Sequence, residues 1–126
     1  MAKKVVSTPE APAAVGAYSQ GIVSNGFVYC SGQVPLDPAS GELVGGSIAD
    51  QTRRCLENLS AVLTAAGSSL DDVVKVTAFL IDMNDFPEFN EAYSEFFGDE
   101  PPARATVAVA GLPKGAEVEV ECVATV

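Results

Sequence analysis

The chain has 126 residues, 48% hydrophobic and 19% charged, which is material for one ordinary core and too apolar for a disordered segment. Seven Lys and Arg stand against 17 Asp and Glu, and the net charge of −10 repels phosphate backbones and anionic membranes at long range. Histidine is absent and the three cysteines form no CxxC pair, which excludes a Ser-His-Asp triad, a Cys-His pair and a histidine-ligated zinc.

An odd number of scattered cysteines fits reduced thiols better than a disulfide framework. No apolar run approaches the ~18 residues of a membrane span. The basic start, Met1-Ala2-Lys3-Lys4, meets Pro9 and Glu10 before a signal core could form. The expectation is one cytoplasmic domain over residues 1–126, with no metal, no cofactor, no nucleic-acid partner and no membrane partner. Its charged fraction lies below the usual ~25%, which points to surface hidden in an oligomer.

From Ala11 to Leu36 no residue is charged. Glycines, prolines and Asn25 break this run into strands and turns. Gly21-Ile22-Val23-Ser24 and Phe27-Val28-Tyr29-Cys30-Ser31 flank Asn25-Gly26, a strong two-residue hairpin signal. So long a neutral stretch, carrying Tyr18, Ser19, Gln20, Ser31 and Gln33, lines either a subunit interface or a cleft, unless it is simply a strand pair of the core. Asp37-Pro38-Ala39-Ser40-Gly41 is a turn by composition.

Ser47, three residues before Asp50, opens a first amphipathic helix. Thr52, Cys55, Leu56, Leu59, Val62, Leu63 and Ala66 recur at helical spacing along it, and Gly67 stops it. Val73 to Ile81 reads as a central strand. Asp82 caps a second helix whose buried stripe is Phe86, Phe89, Tyr93, Phe96 and Phe97, with Asn90 inside the stripe and Gly98 as its end. Arg104 to Ala110 and Glu117 to Val126 are the last strands, separated by Leu112-Pro113-Lys114-Gly115. The order β-β-β-α-β-α-β-β predicts an α+β domain, a single sheet with two helices on one face. The opposite face then lacks a cover within one chain.

Arg104 is one of three arginines and sits among small residues. Strand alternation places Arg104, Thr106 and Ala108 on one face. A planar guanidinium fork suits a carboxylate ligand, although residue type alone favours an inter-strand or intersubunit ion pair. Glu117, Glu119 and Glu121 alternate with Val118, Val120 and Cys122, so the three carboxylates are expected on one strand face. On a solvated face they only discourage edge pairing. On the uncovered face a partly desolvated carboxylate can hold and deprotonate a water, and Glu119 is the central one. Tyr18 and Ser31 supply hydroxyls. Asn90 either ties its helix to a loop or reaches a ligand, and Cys30 packs as a small hydrophobe. No GxGxxG, Walker loop or metal-ligand spacing occurs. The inventory suits a small carboxylate and hydrolytic or proton-transfer chemistry.

Gly16-Ala17-Tyr18-Ser19-Gln20, Ser31-Gly32-Gln33-Val34-Pro35, Asn84-Asp85-Phe86 with Asn90, Pro102-Ala103-Arg104, and Leu112-Pro113-Lys114 through Val118-Glu119-Val120-Glu121 together resemble the RidA family (YjgF, reactive intermediate deaminase A). The match runs along nearly the whole chain in the family's order and spacing. The resemblance implies a chorismate-mutase-like α+β domain with a mixed β-sheet. Three such domains would pack their sheets into a barrel, a homotrimer with a cleft at each interface.

It further implies hydrolysis of 2-iminopropanoate and 2-iminobutanoate to 2-oxo acids and ammonia, without a cofactor. Arg104 would bind the substrate carboxylate, Glu119 would orient and activate water, and Tyr18 would order the cleft. Ser31, Gly32, Asn90 and Thr106 would line it, from two different chains. Two positions depart from the family pattern. Ala17 stands where many members have proline, and Thr106 where some have cysteine, so thiol-dependent behaviour does not carry over. The rival readings are a non-catalytic trimer that binds small carboxylates or acts as a chaperone and, third, a ribonuclease.

Overall fold

A computed structural model of the protein describes residues 2–126. Six strands form one sheet: β1 (Lys4–Val6), β2 (Gly21–Ser24), β3 (Phe27–Gln33), β4 (Val73–Leu80), β5 (Ala103–Ala108) and β6 (Val118–Thr125), in the spatial order β1-β2-β3-β6-β4-β5. Helices α1 (Ile48–Ala66) and α2 (Phe86–Ser94) complete the chain order β1β2β3α1β4α2β5β6. Every pairing is antiparallel except β4 with β5, which α2 joins as a crossover.

Local signals explain most boundaries. Asn25 and Gly26 take φ of 57° and 85°, the left-handed pair of a type I′ turn. At the start of α1 the Ser47 hydroxyl accepts from the Asp50 N–H at 3.1 Å. At its end Gly67 adopts φ 86°, and the Ser68 N–H bonds the Leu63 carbonyl at 2.8 Å. Between those caps, Thr52, Cys55, Leu56, Leu59, Val62 and Leu63 are buried as the periodicity predicts, and Ala66 is half-buried. Burying each large aliphatic side chain is worth about 1.5–3 kcal/mol, against tenths for helix propensity, so packing on the sheet holds α1 in place.

The second helix is shorter than its apolar stripe implies. Asp82 caps a 3-10 turn (Met83–Asp85) through its carboxylate, which accepts from Asn84 N–H at 2.9 Å, and α2 starts only at Phe86. The Glu95 and Phe96 N–H groups then bond the carbonyls of Ala92 and Tyr93, three residues back, and tighten the last turn. The helix therefore closes before Gly98, and Phe96 and Phe97 pack against the core from outside it.

Val76, Ala78 and Leu80 of β4 pair with Cys122, Val120 and Val118 of β6, and all six are buried under the helices. Alternation sends the intervening residues to the other face. There Phe27, Tyr29 and Val107 remain 37%, 48% and 43% exposed, a large apolar fraction for a surface that no helix covers.

Candidate active site in two halves

Arg104 and Glu119 lie on opposite faces of the sheet. Arg104 pairs with Val76, whose side chain is on the helix side, whereas Glu119 pairs with Phe79, one residue out of phase with the buried Ala78 and Leu80. One chain therefore does not bring the two together. Each heads its own pocket.

The first pocket, about 370 Å³, opens between the C-terminal end of α2 and β5 and is lined by Asn90, Tyr93, Phe97, Pro101, Pro102 and Arg104. The guanidinium of Arg104 stacks on α2. Its carbon lies 5.5, 5.8 and 4.6 Å from the ring centroids of Phe86, Phe89 and Tyr93. One N–H donates to the Asn90 side-chain oxygen at 2.9 Å. Among the described residues no carboxylate pairs with it, because the ion pairs are Arg53 with Asp50 and Glu95, and Arg54 with Glu57. Most of the fork is thus unsatisfied within the chain, and the intrachain ion-pair reading of Arg104 falls away. Asn90 sits where the sequence placed it, inside the stripe, and its carbonyl is used on Arg104. Thr106 shares the Arg104 face as expected, and its hydroxyl is buried without a partner among the described residues.

The aromatic seat itself was not read from the sequence. Phe86, Phe89 and Tyr93 look like core, which they also are. The available signal was Asn90 among them at helical spacing, since one polar residue in an aromatic stripe marks the side on which a polar group must be met. Tyr93 is 5% exposed, and its hydroxyl has no hydrogen-bond partner among the described residues. Burial pushes its phenol above the usual value, and the charge of the neighbouring Arg104 opposes that rise.

The second pocket, about 620 Å³, lies along the neutral segment and includes Tyr18, Ser31, Gly32, Lys114 and Glu119. It forms at a bulge in β3. Cys30 pairs with Cys122 and Gln33 with Val120, so Ser31 and Gly32 together oppose a single residue of β6. The Ser31 hydroxyl donates to the Ser19 carbonyl at 2.6 Å and its N–H to the Gln20 carbonyl at 2.9 Å. Gln20 is buried and ties down the preceding segment through Thr8 N–H at 2.7 Å and the Pro12 carbonyl at 2.8 Å. Tyr18, 52% exposed, is presented by this pinned loop, and its hydroxyl accepts from the Val15 N–H at 3.3 Å.

The Glu119 carboxylate rests against Gly32, where a Cβ would overlap its Oε2. Burial, and then the charge of Glu121, push the Glu119 carboxyl above the ordinary range. No described residue donates a hydrogen bond to it. A half-buried carboxylate with free lone pairs is equipped to take a proton from water. Glu117 departs from the expected row. It precedes β6, and its carboxylate accepts from Gln51 of α1 at 3.0 Å, on the helix side of the molecule. The constraint on Glu119 comes from its pairing with Phe79 of β4, and Glu117 lies outside that ladder.

Gly32→Ala tests the contact at Gly32. The clash meets the far end of a flexible side chain, so the fold should persist, with a melting temperature within a few degrees of the parent. The carboxylate must move, and any hydrolysis in which it accepts the proton should slow about tenfold or more, as expected when a proton acceptor is displaced by about 1 Å. Circular dichroism and the turnover assay check the two halves of this outcome.

A family model described as "Endoribonuclease L-PSP" matches residues 8–126. The chain belongs to this family, the YjgF/RidA family. Within it, a RutC family protein of Pyrococcus horikoshii is 52% identical over 122 residues, covering 97% of each chain. The rat protein named 2-iminobutanoate/2-iminopropanoate deaminase is 48% identical, covering 97% of this chain and 89% of its own. The crystal structure of Escherichia coli TdcF with bound serine superposes with a TM-score of 0.93 at 41% identity, covering 98% of both chains. The α+β fold read from the sequence is that of the YjgF/RidA family. Among the described residues no helix is long and apolar enough to cross a membrane.

Proposed function

We propose that the protein hydrolyses small 2-imino acids, 2-iminopropanoate and 2-iminobutanoate, to 2-oxo acids and ammonia, in a cleft that two neighbouring chains of a homotrimer complete. One observation carries the reading. Arg104 is a guanidinium set beside three aromatic rings, bonded to one amide oxygen, lining an open pocket and paired with no carboxylate among the described residues. Such a group is made to receive a carboxylate. The mammalian relatives named as imine deaminases support the chemistry, and a relative with bound serine supports an amino-acid-sized carboxylate as the family's ligand. The exposed apolar residues of the open sheet face support its burial against other copies.

Arg104 of one chain fixes the substrate carboxylate. Glu119 of a neighbouring chain holds a water against the imine carbon. The water oxygen attacks that carbon, the C=N π pair moves to nitrogen, and Glu119 takes the water's proton to leave a carbinolamine. Glu119 then gives that proton to nitrogen and takes the carbinolamine O–H proton as the C–N bond breaks and the C=O forms; ammonia departs, and Glu119 passes its proton to the ammonia or to solvent. The protonated imine is already electrophilic, so the step demands only position and a base. Tyr18, Ser31 and Gly32 line the Glu119 side of the cleft, Asn90 and Thr106 the Arg104 side.

An RNA-cleaving role in the sense of the family description draws no support from this chain, whose 17 acidic residues outnumber 7 basic ones and which has no histidine. Steeply salt-dependent RNA binding would revive it. A carboxylate-binding module without catalysis predicts saturable 2-oxobutanoate binding and no turnover.

The deciding assay generates 2-iminobutanoate from threonine with a dehydratase and traps it with semicarbazide. The protein should suppress the trapped product in proportion to its concentration. A folded, oligomeric sample that leaves the trapping rate unchanged would overturn the deaminase reading.

A further inference from the structure

A polar group buried without a partner is uncommon in a native fold and calls for a reason. Tyr93 is such a case, and it stands beside the one functional cation of the first pocket. Its ring is the nearest of the three to the Arg104 guanidinium, 4.6 Å from centroid to carbon. Its other neighbours are Phe97 at 4.7 Å and Phe89 at 5.5 Å, so the ring is clamped in the aromatic row and cannot turn away from Arg104. Phenylalanine would pack there with no orphaned oxygen. The hydroxyl nonetheless lies close enough to Arg104 to feel its charge, without a well-formed hydrogen bond to it. Asn90, one helical turn earlier on the same side of α2, already takes one guanidinium N–H.

We propose that Tyr93 is a positioning residue for Arg104: its ring supports one face of the guanidinium, and its hydroxyl accepts an inner N–H of the fork once a carboxylate engages the outer edge. Asn90 and Tyr93 then hold the inner donors together, and only the outer pair of N–H groups is offered to ligand. The fork is thereby set for a planar bidentate carboxylate and set against groups that would pull a single N–H out of plane. This rests on Arg104 being the carboxylate site, and it adds a residue that acts on the ligand through Arg104.

Tyr93→Phe removes one oxygen and keeps the ring. Its melting temperature should equal or exceed the parent's, because a buried orphan hydroxyl is lost. KM for 2-iminobutanoate and the dissociation constant of 2-oxobutanoate should both rise about tenfold, with kcat within about twofold, as for loss of a hydrogen bond to a charged group that aids binding and chemistry alike. Protection of Arg104 from phenylglyoxal by 2-oxobutanoate, read by peptide mass spectrometry, should need about tenfold more ligand in Tyr93→Phe, because the hydroxyl holds the fork only in the bound state. A merely structural tyrosine would instead lower the melting temperature and leave KM alone. Parental KM and parental protection of Arg104 by 2-oxobutanoate in Tyr93→Phe would overturn the proposal. If the parent protein hydrolyses no imine, the deaminase reading fails while the labelling comparison still decides the role of Tyr93.

Discussion

Arg104→Ala should abolish 2-oxobutanoate binding in the calorimeter and reduce kcat/KM for 2-iminobutanoate by at least about 10²-fold. A hydrogen bond to a charged group is worth about 1.5–3 kcal/mol, and a bidentate pair engages two of them, so the upper part of that range applies. Arg104→Lys should recover little. Lysine keeps the charge, but an ammonium has no plane to lie on Phe86, Phe89 and Tyr93 and no fork to split between Asn90 and a ligand. Stability should change far less than activity. The lost cation–π and stem packing amount to about 1–2 kcal/mol, a few degrees of melting temperature. A folded Arg104→Ala protein that binds 2-oxobutanoate like the parent would show that the carboxylate sits elsewhere.

The fold was largely legible because its signals are local and independent of one another. Asn25-Gly26 dictates a hairpin, Ser47 and Gly67 bracket a helix, and the alternation of Val118, Val120 and Cys122 with Glu119 and Glu121 assigns one face to the core. The end of α2 was less legible. Phe96 and Phe97 continue the apolar stripe, yet backbone bonds spanning three residues close the helix at Ser94, because packing rewards the aromatic rings whether or not their backbone is helical.

The site was legible residue by residue but not as an arrangement. In Ala103-Arg104-Ala105-Thr106-Val107-Ala108, period-two reading groups Arg104 with Thr106 against the apolar Ala103, Ala105 and Val107, and that contrast alone would send the arginine face away from the core. Only pairing with Val76 and Ala78 corrects that, and it separates Arg104 from Glu119 by the thickness of the sheet. Glu117 was misplaced for a related reason. Alternation holds only within the ladder, and Glu117 falls just before it, within reach of Gln51.

Glu119→Gln should leave 2-oxobutanoate affinity near the parental value and lower kcat by about 10²–10⁴-fold, the range expected when a general base is removed. The pH dependence gives the residue's signature. Burial, reinforced by Glu121, raises the Glu119 carboxyl from its ordinary 4.5, so the acid limb of kcat should lie above pH 4.5 and disappear in the glutamine variant. Stability should move the other way. A raised carboxyl binds its proton more tightly in the folded chain than in the unfolded one, so the parent loses stability as pH rises from the ordinary value through the raised one. Glu119→Gln lacks that loss, and it should melt higher than the parent above this window and not below it.

The two variants together test the assembly. If each cleft takes Arg104 from one chain and Glu119 from the next, co-expressed Arg104→Ala and Glu119→Gln chains should form mixed trimers in which about a quarter of the clefts carry both native residues. Activity should return to that extent, although each variant alone is inactive. A site built within one chain would regain none, since every chain in the mixture lacks one of the two groups. The opposite faces of Arg104 and Glu119 make recovery the expected result.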